Sequence, residues 1–235
     1  MTPLNWLMRG LVGAGGAVLV FVAWPVAHSA WQAQKADVVM YQLRNGQPVE
    51  LADLAAAFAA LNRAVEIDPV AGRYLQRSEL VTGAALTADT GVTVDQRIVW
   101  LRSAQSDLDI GLGNAPARGV GWARLASVRQ GLNGSSRGVV DALLMSIDTA
   151  PMLRPIWPAR LQLILDNWVS FTPQERQRIG DYVVMTWRRS SERRFFASII
   201  RSPVDELLVR YFLRDEPKAQ DELGYWIENV RTHGK

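Results

Sequence analysis

The 235-residue sequence predicts an all-α protein, with one N-terminal transmembrane helix and an array of helical hairpins beyond it. Two observations carry the prediction. Residues 11–27 pass without a charge, and with their flanks they are long enough to span a bilayer. Beyond residue 50, apolar residues recur at helical spacing between breaks rich in proline and glycine. No segment alternates apolar and polar residues between hairpin turns, so no strand is predicted.

The first segment sets the side of the membrane. From Leu4 onward the only charge before Lys35 is Arg9. At about 1.5 Å per residue, residues 4–30 exceed the roughly 30 Å of a hydrocarbon core. Arg9 and the terminal amine precede the apolar run, so residues 1–10 are expected in the cytoplasm, 11–30 in the bilayer and the remainder across it. Trp6, Trp24 and Trp31 flank the run, where indoles favour the interface. A second reading stays open, because Ala27-His28-Ser29 after Pro25 is a small-x-small cleavage site that would make the segment a signal peptide. Gly10 and Ala14, four apart within the small-residue stretch 10–16, offer a stripe for packing against a partner helix.

Residues 31–50 read as a membrane-proximal linker, a helical extension broken at Asn45-Gly46 and Pro48. Residues 51–235 read as the helical domain. Helices are expected over 51–65, with Asp53 in the first turn, over 71–86, and over 94–110. A loop at 87–93 separates the second from the third, which Gly111, Gly113, Asn114 and Pro116 close. Further helices are expected over 119–130, 137–149 and 158–169. Thr172 as N-cap, Pro173 at N1 and Glu175 at N3 spell a capping box for a helix over 173–189. Residues 193–201 extend that helix or begin another; Ser202-Pro203 opens one to Leu213, and Pro217 precedes the last, carrying Leu223, Trp226, Ile227 and Val230.

The helix ends repeat. Pro69, Pro116 and Pro151 each stop a helix, an aromatic follows (Tyr74, Trp122, Trp157), and an arginine follows that (Arg77, Arg124, Arg160). The 35 residues from Pro116 to Pro151 approach the tetratricopeptide period, whereas the 47 from Pro69 to Pro116 require an insertion. Trp122, Leu125 and Ala126 fall where that repeat places its tryptophan, leucine and small residue; Trp157 and Leu161 are the equivalents in the following unit. Gly138 and Ala142 fall where the second helix must approach the first closely. The fold class is therefore a degenerate tetratricopeptide-like hairpin array behind a membrane anchor, with an irregular helical domain as the alternative.

Composition removes whole classes of chemistry. The chain has no cysteine, which excludes disulfides, thiolate metal sites and cysteine nucleophiles. Its two histidines, His28 and His233, have no metal or triad context. Without Arg9, 25 basic side chains face 23 acidic ones, a balance that gives no field for nucleic acid. Asp107 and Asp109 lie two apart on a helix and do not share a face, and Asp205 and Glu206 do not converge. The glycines near residue 111 lack a preceding strand and the lysine of a phosphate loop. No catalytic residue, metal or cofactor is predicted, and the expectation is a protein that is not an enzyme.

Two features ask for a ligand or for a plainer explanation. Arg188, Arg189, Arg193 and Arg194, with Arg201 and the interleaved Phe195 and Phe196, form a candidate anion site for a phospholipid headgroup, an acidic glycan or a phosphate-bearing carrier. The plainer reading is a solvated helix face paired with Glu192 and neighbouring acids. Trp100, Trp122, Trp157, Trp168, Trp187 and Trp226 are spread one per helix, which suits packing between helices better than a sugar-stacking platform.

The run AP-x-x-G-x-x-W-A-R-L-A at residues 115–126, W-x-x-R-L at 157–161 and W-x-x-F-T-P-x-x-R at 168–176 resemble the VpsP-like polysaccharide biosynthesis proteins. These are tetratricopeptide-like accessory proteins of bacterial exopolysaccharide clusters. The similarity spans roughly residues 1–190, and the extra length between Pro69 and Pro116 departs from an even repeat. It implies a single-pass protein of the bacterial inner membrane with a periplasmic domain, acting in assembly or export of a surface polysaccharide. The implied partners are envelope proteins and membrane lipid, with no active site to carry over. Two alternatives stay open: a periplasmic enzyme or anionic-ligand binder using the Arg188–Arg201 cluster, and a general envelope-assembly factor.

Overall fold

In the computed structural model, backbone is described for residues 3–86 and 92–233, and side chains from residue 14. The side chains of Trp6 and Arg9, the stripe at Gly10 and the loop residues 87–91 lie outside the described residues. All regular structure among the described residues is helical. Helices α1 (Pro3–Gln34), α2 (Asp37–Arg44), α3 (Leu51–Ile67), α4 (Ala71–Leu86) and α5 (Val94–Asn114) belong to one compact unit ending at Pro116. A second unit begins at Ala117 and holds α6 (Gly119–Asn133), α7 (Arg137–Thr149), α8 (Trp157–Asp166), α9 (Pro173–Arg189), α10 (Arg194–Ser198), α11 (Pro203–Phe212) and α12 (Ala219–His233). The fold is made of stacked antiparallel helix pairs with one apolar helix at the N-terminus.

In the first unit α1 has two halves of opposite character. Val18, Phe21, Trp24 and Val26 are all more than half exposed, as an unpartnered apolar helix must be. From Ser29 the same helix turns inward. Ala33 and Ala36 with Val39, Met40 and Leu43 of α2 pack on Leu54, Ala57, Leu61 and Ala64 of α3 and on Leu80 and Ala84 of α4. The expected helical extension and its break at Asn45-Gly46 are present, and one face of residues 33–43 packs into the core. Their small and apolar residues fall three or four apart, a buried helical stripe.

Helix α5 runs through Gly111 and Gly113, which were expected to close it, and ends at Asn114. Glycine costs a helix about 1 kcal/mol, but at Gly111 the packing requires it. A Cβ there would stand 2.8 Å from the Leu75 side chain of α4. Bidentate hydrogen bonds from Arg77 to the buried Asp107, at 2.8 and 2.6 Å, clamp the same pair of helices.

In the second unit α6 and α7 form the tightest hairpin. Its close approach lies at Gly119, where a Cβ would meet Ala150 Cβ at 2.5 Å, and not at Gly138, where the nearest atom would be 3.6 Å away. Ala142 is buried as expected. The connecting turn places Gly134 at φ +67°, a conformation that favours glycine. Both N-terminal capping boxes are formed, Thr172 with Glu175 on α9 and Ser202 with Asp205 on α11. Residues 158–169, read as one helix, divide into α8, which already begins at Trp157, and a 3-10 turn at Trp168–Ser170. Residues 193–201 yield only the short α10.

Candidate functional site

The foot of α1 is where the apolar helix meets folded protein. Trp24, His28 and Trp31 stack along one face with ring centroids 6.0 Å apart at each step, and Lys35 Nζ caps Trp31 at 4.0 Å. Behind this ladder Ser29 is fully buried and donates from Oγ to Ala64 O of α3 at 2.9 Å. Arg73 of α4 donates from Nε to the same Oγ at 2.8 Å, and from Nη1 to Gln76. One hydroxyl therefore joins α1 to both neighbouring helices. The site-like triplet Ala27-His28-Ser29 lies inside this junction, and cutting it would remove the hydroxyl from the fold.

The arginine cluster does not converge. Arg188, in the last turn of α9, makes two hydrogen bonds to Glu216, at 2.9 and 2.5 Å. That pairing raises the guanidinium pKa and lowers that of the carboxyl. Arg193 pairs with Glu222 of α12 and lies 4.7 Å from the centroid of the Trp187 ring. Arg189, Arg194 and Arg201 point into solvent and form no ion pair among the described residues. Phe196 is buried edge-on against Trp187, with centroids 5.0 Å apart, so it serves the core. Two of the four predicted anion ligands thus tie α9 and the turn before α10 to the C-terminal part of the unit.

The predicted repeat-packing residues fare differently. Leu125, Trp157 and Leu161 are buried, while Trp122 is only partly covered. Trp157 donates from Nε1 to Pro151 O at 3.0 Å. Arg160, three residues on, is fully buried and forms no ion pair with a carboxylate among the described residues. It donates instead to Ser146 O, Ser146 Oγ, Ala150 O and the Tyr182 hydroxyl. All but the Tyr182 hydroxyl of α9 lie at the C-terminal end of α7, where the carbonyl oxygens and the helix dipole supply partial negative charge. Burial pushes the Tyr182 phenol pKa up, against the opposing pull of Arg160.

Among the open grooves on the described surface, one of about 570 Å³ lies beside Arg193, Asp221 and Glu222, and two others are larger. One, of about 650 Å³, lies between α3 and the start of α5 and is floored by Leu54, Phe58 and Trp100. The other, of about 940 Å³, runs between α9 and α11. Arg176 covers Trp168 at 5.0 Å and Arg214 covers Tyr211 at 4.3 Å, while Leu207 and Tyr211 stay exposed. An apolar floor with charges of both signs on the rim suits an amphipathic segment of another protein better than a small anion. Sequence reading missed this groove, though the run 207–213 is too apolar for a helix with one buried face. Among the described residues no three His, Asp or Glu side chains gather as metal ligands. No known family, characterised protein or solved structure matches the chain.

Proposed function

We propose that the chain is a non-enzymatic, single-pass membrane scaffold, a degenerate tetratricopeptide-like array that serves assembly or export of a bacterial surface polysaccharide. One observation carries the reading: an exposed apolar helix long enough to cross a membrane is built without a break into a first helical unit that presents an open groove. Rigid attachment suits a protein that positions others at the bilayer. The arginine and carboxylate groups near the C-terminal groove are largely spent on one another, as Arg188 with Glu216 and Arg193 with Glu222, which suits a structural role. In this reading the N-terminus is cytoplasmic, the anchor lies in the inner membrane and the helical units are periplasmic. The partners are membrane proteins of the polymer assembly or export system, with no nucleic acid and no cofactor. Deleting the chain should abolish surface polymer while leaving sugar-precursor pools intact, and crosslinking in membranes should capture envelope proteins. An unaltered cell surface in the deletion strain refutes the proposal.

A further inference from the structure

The way the first unit is folded onto α1 fixes which of its ends faces the bilayer. Helix α3 starts just beyond the end of α2 and runs back along α1, so that Ala64 reaches the level of Ser29. Helix α4 then runs away again. Its Arg73 lies at Ser29, and ten residues later Gly83 meets Leu43, the Cβ-to-Cδ1 gap being 3.3 Å if a Cβ is built there. Helix α5 returns antiparallel, with Gly111 against Leu75 and Ala71 O. The α3–α4 corner is therefore the end of the unit nearest the apolar half of α1.

Its depth follows from helix geometry. Three residues of α3 follow Ala64 before the helix ends at Ile67. At about 1.5 Å each they carry the corner about 4.5 Å past Ser29, to the level of Val26. Val26 is exposed and belongs to the uncharged run. Counted back from there, residues 4–26 cover about 34 Å, against roughly 30 Å of hydrocarbon. The tip of the corner is Pro69-Val70-Ala71-Gly72, four uncharged residues with Val70 about half exposed. Charges near the corner balance: Arg63 and Arg73 are offset by Glu66 and Asp68. The ladder Trp24–His28–Trp31–Lys35 begins near this height at Trp24 and rises about 16 Å away from the apolar half.

The geometry points to a second membrane contact: the corner Pro69–Gly72 is seated at the boundary between headgroups and acyl chains of the bilayer that α1 crosses. The contact rests on the reading of α1 as an anchor. It makes the first unit a docked body with a fixed face toward the lipid, and the headgroup layer is met by uncharged, interfacial residues rather than by a basic patch. Neutral and anionic lipids are thus bound alike.

The absence of native cysteine allows a direct test by site-directed spin labelling. The full-length chain, carrying Val70→Cys, Val20→Cys or Asn45→Cys, is reconstituted in vesicles of phosphatidylcholine with and without phosphatidylglycerol. Collision with lipid-soluble oxygen and with a water-soluble nickel chelate then reports depth. The label at residue 20 is expected deep in lipid, and that at residue 45, at the far end of the unit, in water. At residue 70 the nickel collision rate should fall several-fold below that at residue 45, equally in both lipid mixtures. Residue 70 behaving like residue 45 while residue 20 stays in lipid overturns the docked corner and leaves the anchor standing. Residue 20 in water overturns the anchor reading and the corner with it.

Discussion

Replacing Arg160 by methionine tests whether a buried cation can be held by a helix end alone. The substitution keeps an apolar stem of similar length but removes the donors serving Ser146 O, Ser146 Oγ, Ala150 O and the Tyr182 hydroxyl. The two backbone carbonyls at the end of α7 each keep one backbone donor, Ala150 N–H at 3.2 Å to Ser146 O and Leu153 N–H at 3.3 Å to Ala150 O, but lose the charged one. At about 1.5–3 kcal/mol for each hydrogen bond from a charged donor, largely offset by no longer desolvating a cation, the net loss is about 3 kcal/mol. Amide hydrogen exchange on the full-length chain in detergent micelles reads that loss locally, free of the separate unfolding of the other unit. Peptides covering α7 and α8 should exchange about two orders of magnitude faster, since 1.4 kcal/mol is tenfold. Lysine at the same position keeps the charge but presents an ammonium point charge instead of a planar fork, so it should restore little of the protection. Unchanged exchange in the methionine variant, or native protection in the lysine variant, refutes the account.

Other perturbations follow from close contacts and titrating groups. Gly119→Ala drives a Cβ against Ala150 and should destabilise the second unit by about 1–3 kcal/mol, whereas Gly138→Ala should be neutral or stabilising by up to about 1 kcal/mol, both read from thermal unfolding. Glu175, held by Arg137 and by the Thr172 backbone N–H, has its carboxyl pKa pulled down to about 2. The pairing therefore contributes fully above the unfolded value near pH 4.5 and is lost as pH falls from there toward 2. Because Arg137 is half exposed, the contribution is about 1 kcal/mol, and Glu175→Gln should flatten the pH dependence of stability in that window and lower stability at pH 7 by about the same amount.

Helix boundaries were most legible where the chain encodes its own ends. Thr172-Pro173 and Ser202-Pro203 announce α9 and α11 because capping is local and needs only neighbouring residues. The helical extension through residue 44 was legible but the burial of residues 33–43 was not, because a stripe beside an apolar helix shows no partner until the helices that cover it are known. Gly111 and Gly113 were taken as a stop because a glycine that permits a close approach carries the same letter as one that ends a helix. The pairing of Arg188 and Arg193 was hidden because their partners, Glu216 and Glu222, stand 28 and 29 residues away. The roles of Arg77 and Arg160 were equally hidden, although the repeat grammar had marked both as recurring positions.

The Ser29 hydroxyl also has a consequence for how the protein is made. Its partner Ala64 lies 35 residues downstream, and Arg73 lies 44 downstream. In the proposed topology α1 is synthesised first and waits, with a polar group and an alanine stripe uncovered, until α3 and α4 emerge across the membrane. The first unit would then be completed only after the nascent chain has been threaded across, so that membrane insertion and domain folding would form one ordered sequence in biogenesis. A soluble fragment that starts beyond the anchor inherits a first unit without its central strut.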